Sequence, residues 1–242
     1  MAVPTRYLSG VSTQSVTQSL GNFPLPNPSA VYLRFDDFNQ YRAADWTVTT
    51  GANAGTAASV NGPGGLIALT TAAVSTADYE HLNAAPLDIT FNYGQQVWHT
   101  TQLKISEIVT SSFFTGIIAG APGPTIAPTD GIYLRKLSGV STIDLVLVKA
   151  SISTVVTLPA IYKDSNGVLQ PVLTANTNVK LGFYFNGKDT VSAFVNDYMT
   201  GSQTILTNLP VGILLSQAMG LVNGSAVAKT LTVDWALSSQ DR

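Results

Sequence analysis

The first thirty residues limit this chain more than any other stretch, because they cannot build a core. Residues 1–33 hold scattered Ser, Thr, Gln, Gly and Asn, then a proline cluster at Pro24, Pro26 and Pro28. Neither a helical nor a two-residue hydrophobic period runs through them. They also lack the high net charge of an ordinary disordered tail, since the formal charges before Leu33 are Arg6 and the amino terminus. Two readings stand side by side. One is a frayed N-terminus, common at domain ends. The other is an extended assembly arm, residues 1–30, laid on a neighbouring subunit through Tyr7, Leu8, Val11, Phe23 and Leu25.

The rest of the chain, residues 31–242, is long enough for one sizeable core. Charged residues make up 11% of the 242, against the ~25% usual in soluble domains. Thr, Ser, Ala, Gly and Asn fill the deficit, so the surface is polar but nearly uncharged. Such a surface hydrogen-bonds to neighbours with little charge to desolvate, which suits a packed lattice or a sugar-facing module. Nucleic acid is excluded as a partner, because the 12 basic residues are dispersed and no patch neutralises phosphates. No basic n-region with an apolar h-region opens the chain, and no run of ~18 apolar residues occurs to span a bilayer. The absence of cysteine rules out disulfides and thiolate metal sites.

The body reads as β throughout. Short strands are expected at Val31–Phe38, Trp46–Val48 and Leu66–Thr70, with Gly51–Gly65 as a loop and Val74–Asp88 as a connection holding at most one helical turn. Val97–Ile108 alternates, and Phe113–Ala119 is a nearly continuous apolar run suited to burial on both sides. A proline-rich loop at Ala121–Asp130 precedes a hairpin, Ile132–Leu137 with Ile143–Lys149, and a strand at Ser153–Leu158. Val179, Leu181, Phe183 and Phe185 alternate with Lys180, Gly182 and Tyr184, and the chain returns from Thr190 after Asn186-Gly187. Leu231–Leu237 closes the chain, with Leu231, Val233, Trp235 and Leu237 on one face. No segment sustains a helical period. Many strands with frequent turns predict an antiparallel β-sandwich.

The order of these landmarks carries a resemblance. Phe35-Asp36-Asp37-Phe38 with Trp46, Val97-Trp98, Phe113-Phe114-Thr115-Gly116-Ile117, Asp130-Gly131-Ile132-Tyr133, the Leu181–Val195 hairpin and Leu231-Thr232-Val233-Asp234-Trp235 follow one another. This resembles the concanavalin A-like, or laminin-G-like, jelly-roll sandwich of structural proteins of tailed bacteriophages. The text from Pro4-Thr5-Arg6-Tyr7 to Leu25-Pro26-Asn27-Pro28 is similar to the leading arms of such proteins. The resemblance implies that the first and last strands lie side by side. It further implies a virion protein made in the host cytoplasm, a capsid decoration or cement protein. Its partners would be the major capsid protein and copies of itself, by analogy in a trimer.

Catalytic signals are weak. A glycoside hydrolase of this fold needs two carboxylates flanking a cleft. Glu80 and Glu107 are the only glutamates, and the Glu-x-Asp-x-x-Glu motif of related glucanases is absent. Glu107 is expected as an outward strand residue. His81 and His99, the only histidines, are not spaced as metal ligands and are expected on the surface. No nucleophile elbow or Walker loop occurs, so the expectation is a non-enzyme without cofactors. Asp36-Asp37 is the one acidic pair to weigh, either as calcium ligands or as turn caps. Trp235 is expected in the core, and Tyr184 as an exposed ligand contact. The rival to a virion protein is a carbohydrate- or receptor-binding module of a tail, fibre or adhesin.

Overall fold

The computed structural model describes residues 31–62, 64–86 and 88–242, and the arm residues Tyr7, Leu8, Val11, Phe23 and Leu25 lie outside them. Among the described residues every regular element is a strand. One sheet has eight strands: β1 (Val31–Asp36), β3 (Thr56–Val60), β4 (Leu66–Thr70), β6 (Val97–Ile105), β13 (Val179–Phe185), β14 (Val191–Val195), β15 (Tyr198–Gln203) and β17 (Thr230–Asp241). Its order is β15-β14-β13-β6-β17-β4-β3, with β1 paired to the C-terminal half of β17. A second sheet has seven: β2 (Trp46–Thr50), β5 (Tyr79–Ala84), β7 (Ser111–Ile118), β8 (Gly131–Lys136), β9 (Asp144–Lys149), β10 (Ile152–Thr157) and β16 (Ser216–Asn223). Its order is β10-β9-β8-β7-β16-β5-β2. A small hairpin, β11 (Ile161–Lys163) and β12 (Leu169–Pro171), stands apart.

The two sheets face each other across one apolar core. Leu103, Leu181, Phe183, Phe185, Leu231 and Val233 from the first meet Phe113, Ile117, Leu134, Leu147, Met219 and Leu221 from the second, all fully buried. Each such side chain contributes roughly 1.5–3 kcal/mol on burial, enough together to fix the register of every central strand. The first and last strands do pair, from Val31 opposite Asp241 to Asp36 opposite Ala236.

The hairpin of β13 and β14 forms as expected, with Leu181 opposite Val195 and Phe185 opposite Val191. Its turn is wider than a two-residue loop. Gly187 alone takes positive φ there, and Asn186 Oδ1 accepts the backbone N–H groups of Lys188, Asp189 and Thr190.

Six strands arise where the sequence predicted none. β3 replaces a loop, β5 replaces the connection through Val74–Asp88, and β11, β12, β15 and β16 were not anticipated at all. β16 is central, bonded to β7 on one side and β5 on the other. Trp235 also departs from its expected place in the core. The ladder of β17 with β6 shifts register between Val233 and Trp235. That bulge inserts one residue and reverses the facing of all that follow. Ala236 and Ser238 turn inward, while Trp235 faces out, half-buried, with Lys180 Nζ 5.6 Å from its ring centre.

Candidate functional site

The acidic corner works as a clasp. Asp36 Oδ1 accepts the Phe38 N–H at 2.7 Å, and Oδ2 accepts the Trp46 indole N–H at 2.7 Å. Asp37 Oδ1 accepts the Asn39 N–H at 3.2 Å. Arg34 lies over the Trp46 ring at 5.3 Å and donates to the carbonyls of Ala85 and Asp45 and to Asp88. The Tyr32 hydroxyl also donates to Asp88, and burial, with the Asp88 contact, pushes it up to about 12. These bonds tie β1 of the first sheet to the β2–β5 edge of the second. Of the two uses weighed for Asp36 and Asp37, turn capping is the one the side chains perform. No cluster of three or more His, Asp or Glu capable of holding a metal occurs among the described residues.

Both histidines are buried, contrary to the surface position expected of them. His99 lies between the sheets, with Nδ1 2.9 Å from Ser238 Oγ and Nε2 2.9 Å from Thr115 Oγ1. Thr101 Oγ1 completes the network. This satisfies a neutral imidazole, and burial pushes its pKa down to about 3. A serine–histidine contact without a carboxylate or a path for substrate is a scaffold element.

His81 faces the other way, onto the outer surface of the seven-stranded sheet. Its ring lies 4.6 Å from Tyr79 and edge-on to Phe114 at 5.1 Å, and neither ring nitrogen has a hydrogen-bond partner. Gly220 makes the room, because a Cβ there would lie 2.4 Å from His81 Cδ2. Burial pushes this imidazole down to about 3 as well.

His81 borders a second apolar layer that the sequence did not announce. Phe114, Ile118, Tyr133, Val146, Ala218 and Val222 cover the outer face of the seven-stranded sheet. The Ala121–Asp130 segment folds over them, burying Ile126, whose carbonyl accepts the Tyr133 hydroxyl at 3.3 Å. The middle of that face is therefore closed.

The glutamates are engaged elsewhere. Glu107 is not on a strand; it follows β6 and accepts the backbone N–H groups of Val109 and Thr110 and the Thr110 hydroxyl. Lys229 sits 3.3 Å away. Partial burial raises its pKa, but these donors outweigh it and hold it down at about 2. Glu80 is fully buried on β5, and burial pushes it up to about 7, against the Gly55 amide.

Tyr184 points outward as expected but is not exposed. It is 7% accessible, stacked on Trp98 at 4.0 Å, and clustered with Phe194. These three are neighbours across β6, β13 and β14, and their mutual packing removes the ring from solvent.

An open groove remains at the β2–β5 edge. Its volume is about 340 Å³, and Thr47, Thr49, Asn83, Pro86, Gly120 and Ser216 contribute to its wall. Asn83 Nδ2 donates to the Gly120 carbonyl at 2.8 Å, while Asn83 Oδ1 and Ser216 Oγ have no hydrogen-bond partner. The lining has no ionisable side chain, so the groove suits a neutral ligand bearing hydroxyl or amide groups. Sequence reasoning missed it because Asn83 and Ser216 sit on β5 and β16, two of the unanticipated strands. Tyr79–Ala84 carried no clean alternation, because polar Glu80 shares the inward side of β5 with Leu82 and Ala84.

No protein-family model matches the chain, and no curated protein sequence matches it. Solved structures do. The endo-1,3-β-glucanase of Streptomyces sioyaensis superposes with a TM-score of 0.58 at 12% identity, over 90% of this chain and 99% of that one. The β-glucanase of Bacillus licheniformis gives 0.55 at 17% identity, over 85% and 97%. The carbohydrate recognition domain of Emp46p, in its metal-free form, gives 0.52 at 9%, over 84% and 94%. The fold is a concanavalin A-like jelly roll. Identities this low carry the architecture alone, and that architecture is shared by enzymes and binding domains.

Proposed function

We propose that this jelly roll is a non-enzymatic structural protein of a tailed-phage virion, a capsid decoration or cement protein. The observation that carries the reading is the state of the sheet edges. Of the strands in the two large sheets that are paired on one side only, β2, β3 and β10 contain no charged residue, no proline and no bulge, whereas β1 carries Arg34 and Asp36 and β15 pairs with β14 through a register shift. Proteins that stay apart blunt such edges with charges, prolines or bulges, because an open edge is a template for another chain. Here the edges suit close lateral packing with copies of the same chain, in a trimer, and with the major capsid protein on the particle surface. The neutral arm extends this design. Tethered to a docked domain, a weakly binding segment gains effective concentration and adds contacts at no cost in domain size. The buried histidines, the locked Glu107 and the buried Glu80 support a non-enzymatic role.

Deleting Met1–Ala30 is expected to leave a folded domain that no longer decorates capsids, measured by co-sedimentation with particles. Equal decoration by the truncated protein would remove the arm from the assembly.

The groove at Asn83 and Ser216 favours a second reading, a carbohydrate- or receptor-binding module. On that reading a glycan array gives saturable hits that Ser216→Val abolishes; an empty array counts against it.

A further inference from the structure

We infer that β10 is the docking edge for the N-terminal segment of a neighbouring copy, which adds to the seven-stranded sheet as one further strand. The inference rests on the arm reading above and names the place where the arm binds.

Among the described residues no strand pairs with β10 on the side away from β9, and Asn208 Nδ2 donates to the Thr154 side-chain hydroxyl at 2.9 Å rather than to the β10 backbone. The six residues of β10 pair with β9 without a register shift, from Ile152 opposite Lys149 to Thr157 opposite Asp144. Among the described residues none of them makes a backbone hydrogen bond to any other segment. Five of the six, Ile152, Thr154, Val155, Val156 and Thr157, are β-branched, and none is charged, glycine or proline. Ile152 is 66% and Val155 42% exposed, so apolar side chains flank the free backbone groups.

The other edges are less fit. β2 and β3 are each five residues long, and β2 begins at Trp46, which the Asp36–Arg34 clasp holds. β15 contains Gly201 and pairs with β14 through a register shift. A bulged edge twists away from a straight partner.

The occupant follows from the segment ahead of β1. Thirty residues precede Val31, and fully extended they span roughly 100 Å, at about 3.3 Å per residue, so they can cross to an adjoining subunit. Arg6 is their only charged side chain, and Val11, Thr13, Val16 and Thr17 supply β-branched residues within a short stretch. Two uncharged strands pair without removing a charge from water, and backbone hydrogen bonds supply the affinity.

The chain has no cysteine, which makes a clean cross-linking test possible. One protein carries Val155→Cys, and three others carry Val11→Cys, Thr13→Cys or Val16→Cys. Each edge–arm mixture is oxidised and run on a non-reducing gel. A covalent heterodimer with at least one arm variant is expected. None is expected when Lys188→Cys, in an exposed turn, replaces the edge cysteine. Because each chain holds a single cysteine, an arm docked on its own β10 gives no heterodimer, and that result overturns the inference. Disulfides between two Val155→Cys chains alone would show edge-to-edge self-pairing and also overturn it. In the second arm Val155→Lys, checked by circular dichroism to be folded, should weaken self-association at least about tenfold, equivalent to about 1.4 kcal/mol. If removing residues 1–30 abolishes assembly while Val155→Lys and the cysteine pairs do nothing, the site is wrong and the arm reading stands. If the truncation changes nothing, both fall.

Discussion

Gly116→Val should leave no stably folded protein. Gly116 lies in the middle of β7, opposite Tyr133 on β8 and Ala218 on β16. A Cβ at this position would sit 2.5 Å from the Ile132 carbonyl oxygen, Tyr133 Cα and Tyr133 Cβ. None of these is the tip of a flexible side chain, so the clash is relieved only by parting β7 from β8. All eight residues of β7 are buried, and every ladder bond broken there leaves backbone groups away from water. Ordinary overpacking costs about 1–3 kcal/mol because side chains give way. Here the loss should be about 4 kcal/mol or more, much of the stability of a typical domain. Gly201→Ala is the control, because its Cβ meets only Leu158 Cδ2, a movable methyl, and should cost less than about 1.5 kcal/mol. Urea unfolding followed by tryptophan fluorescence compares the two. A Gly116→Val protein within about 1 kcal/mol of the parent would show that Gly116 is not pressed against Tyr133.

Acid should unfold this domain early, and His81 should account for a definable part of the effect. His81 and His99 each ionise near 6.5 when unfolded and at about 3 when folded. Between those values the unfolded chain binds the extra proton, so each histidine makes stability fall as pH falls. Glu80 works in the opposite sense. Its folded value is about 7 against 4.5 unfolded, so between those limits the folded state holds the proton and stability rises as pH falls. From pH 6.5 to 4.5 Glu80 cancels one histidine, leaving a net one-proton slope and a loss of about 3 kcal/mol. Below pH 4.5 Glu80 is protonated in both states and cancels nothing, while Glu107, held at about 2, begins to favour the unfolded chain. The slope therefore at least doubles, and the loss of stability steepens as pH falls below 4.5.

The variant that isolates this is His81→Phe. Neither His81 nitrogen is hydrogen-bonded and its neighbours are Tyr79 and Phe114, so a phenyl ring loses no bond. Stability at pH 7 should hold or rise by about 1–3 kcal/mol, since an unsatisfied buried polar group is removed. Between pH 6.5 and 4.5 the stability curve should become flat, because Glu80 then offsets His99 alone. A curve that keeps the parent's slope would place His81 in water.

The strands legible in the sequence are those with strong contrast between faces. β13 alternates Val179, Leu181, Phe183 and Phe185 with Lys180 and Gly182, and it forms with that facing. β7 was legible for another reason, its unbroken run of apolar residues. β5 and β16 were missed although both are almost wholly buried. Alternation marks a strand only when one face is wet. The second apolar layer takes Ala218 and Val222 from the outer face of β16, so that strand lacks a polar half, and in β5 the inward Glu80 breaks the contrast with outward His81 and Asn83. The same layer explains His81, which looked like a surface residue and is a core one. Tyr184 was assigned the right face, but Trp98 and Phe194 beside it close that face.

Residues adjacent in sequence were enough to establish the all-β class, because hydrophobic period is a local property, while the pairing of the first and last strands was legible only through the resemblance to the jelly-roll sandwich. Tertiary structure alone decided that His99 meets Thr115 and Ser238, that a bulge turns Trp235 outward, and that Asn83 and Ser216 share a groove. Each of these depends on which strands pair and in what register, and pairing joins positions more than a hundred residues apart through contacts that no single segment encodes.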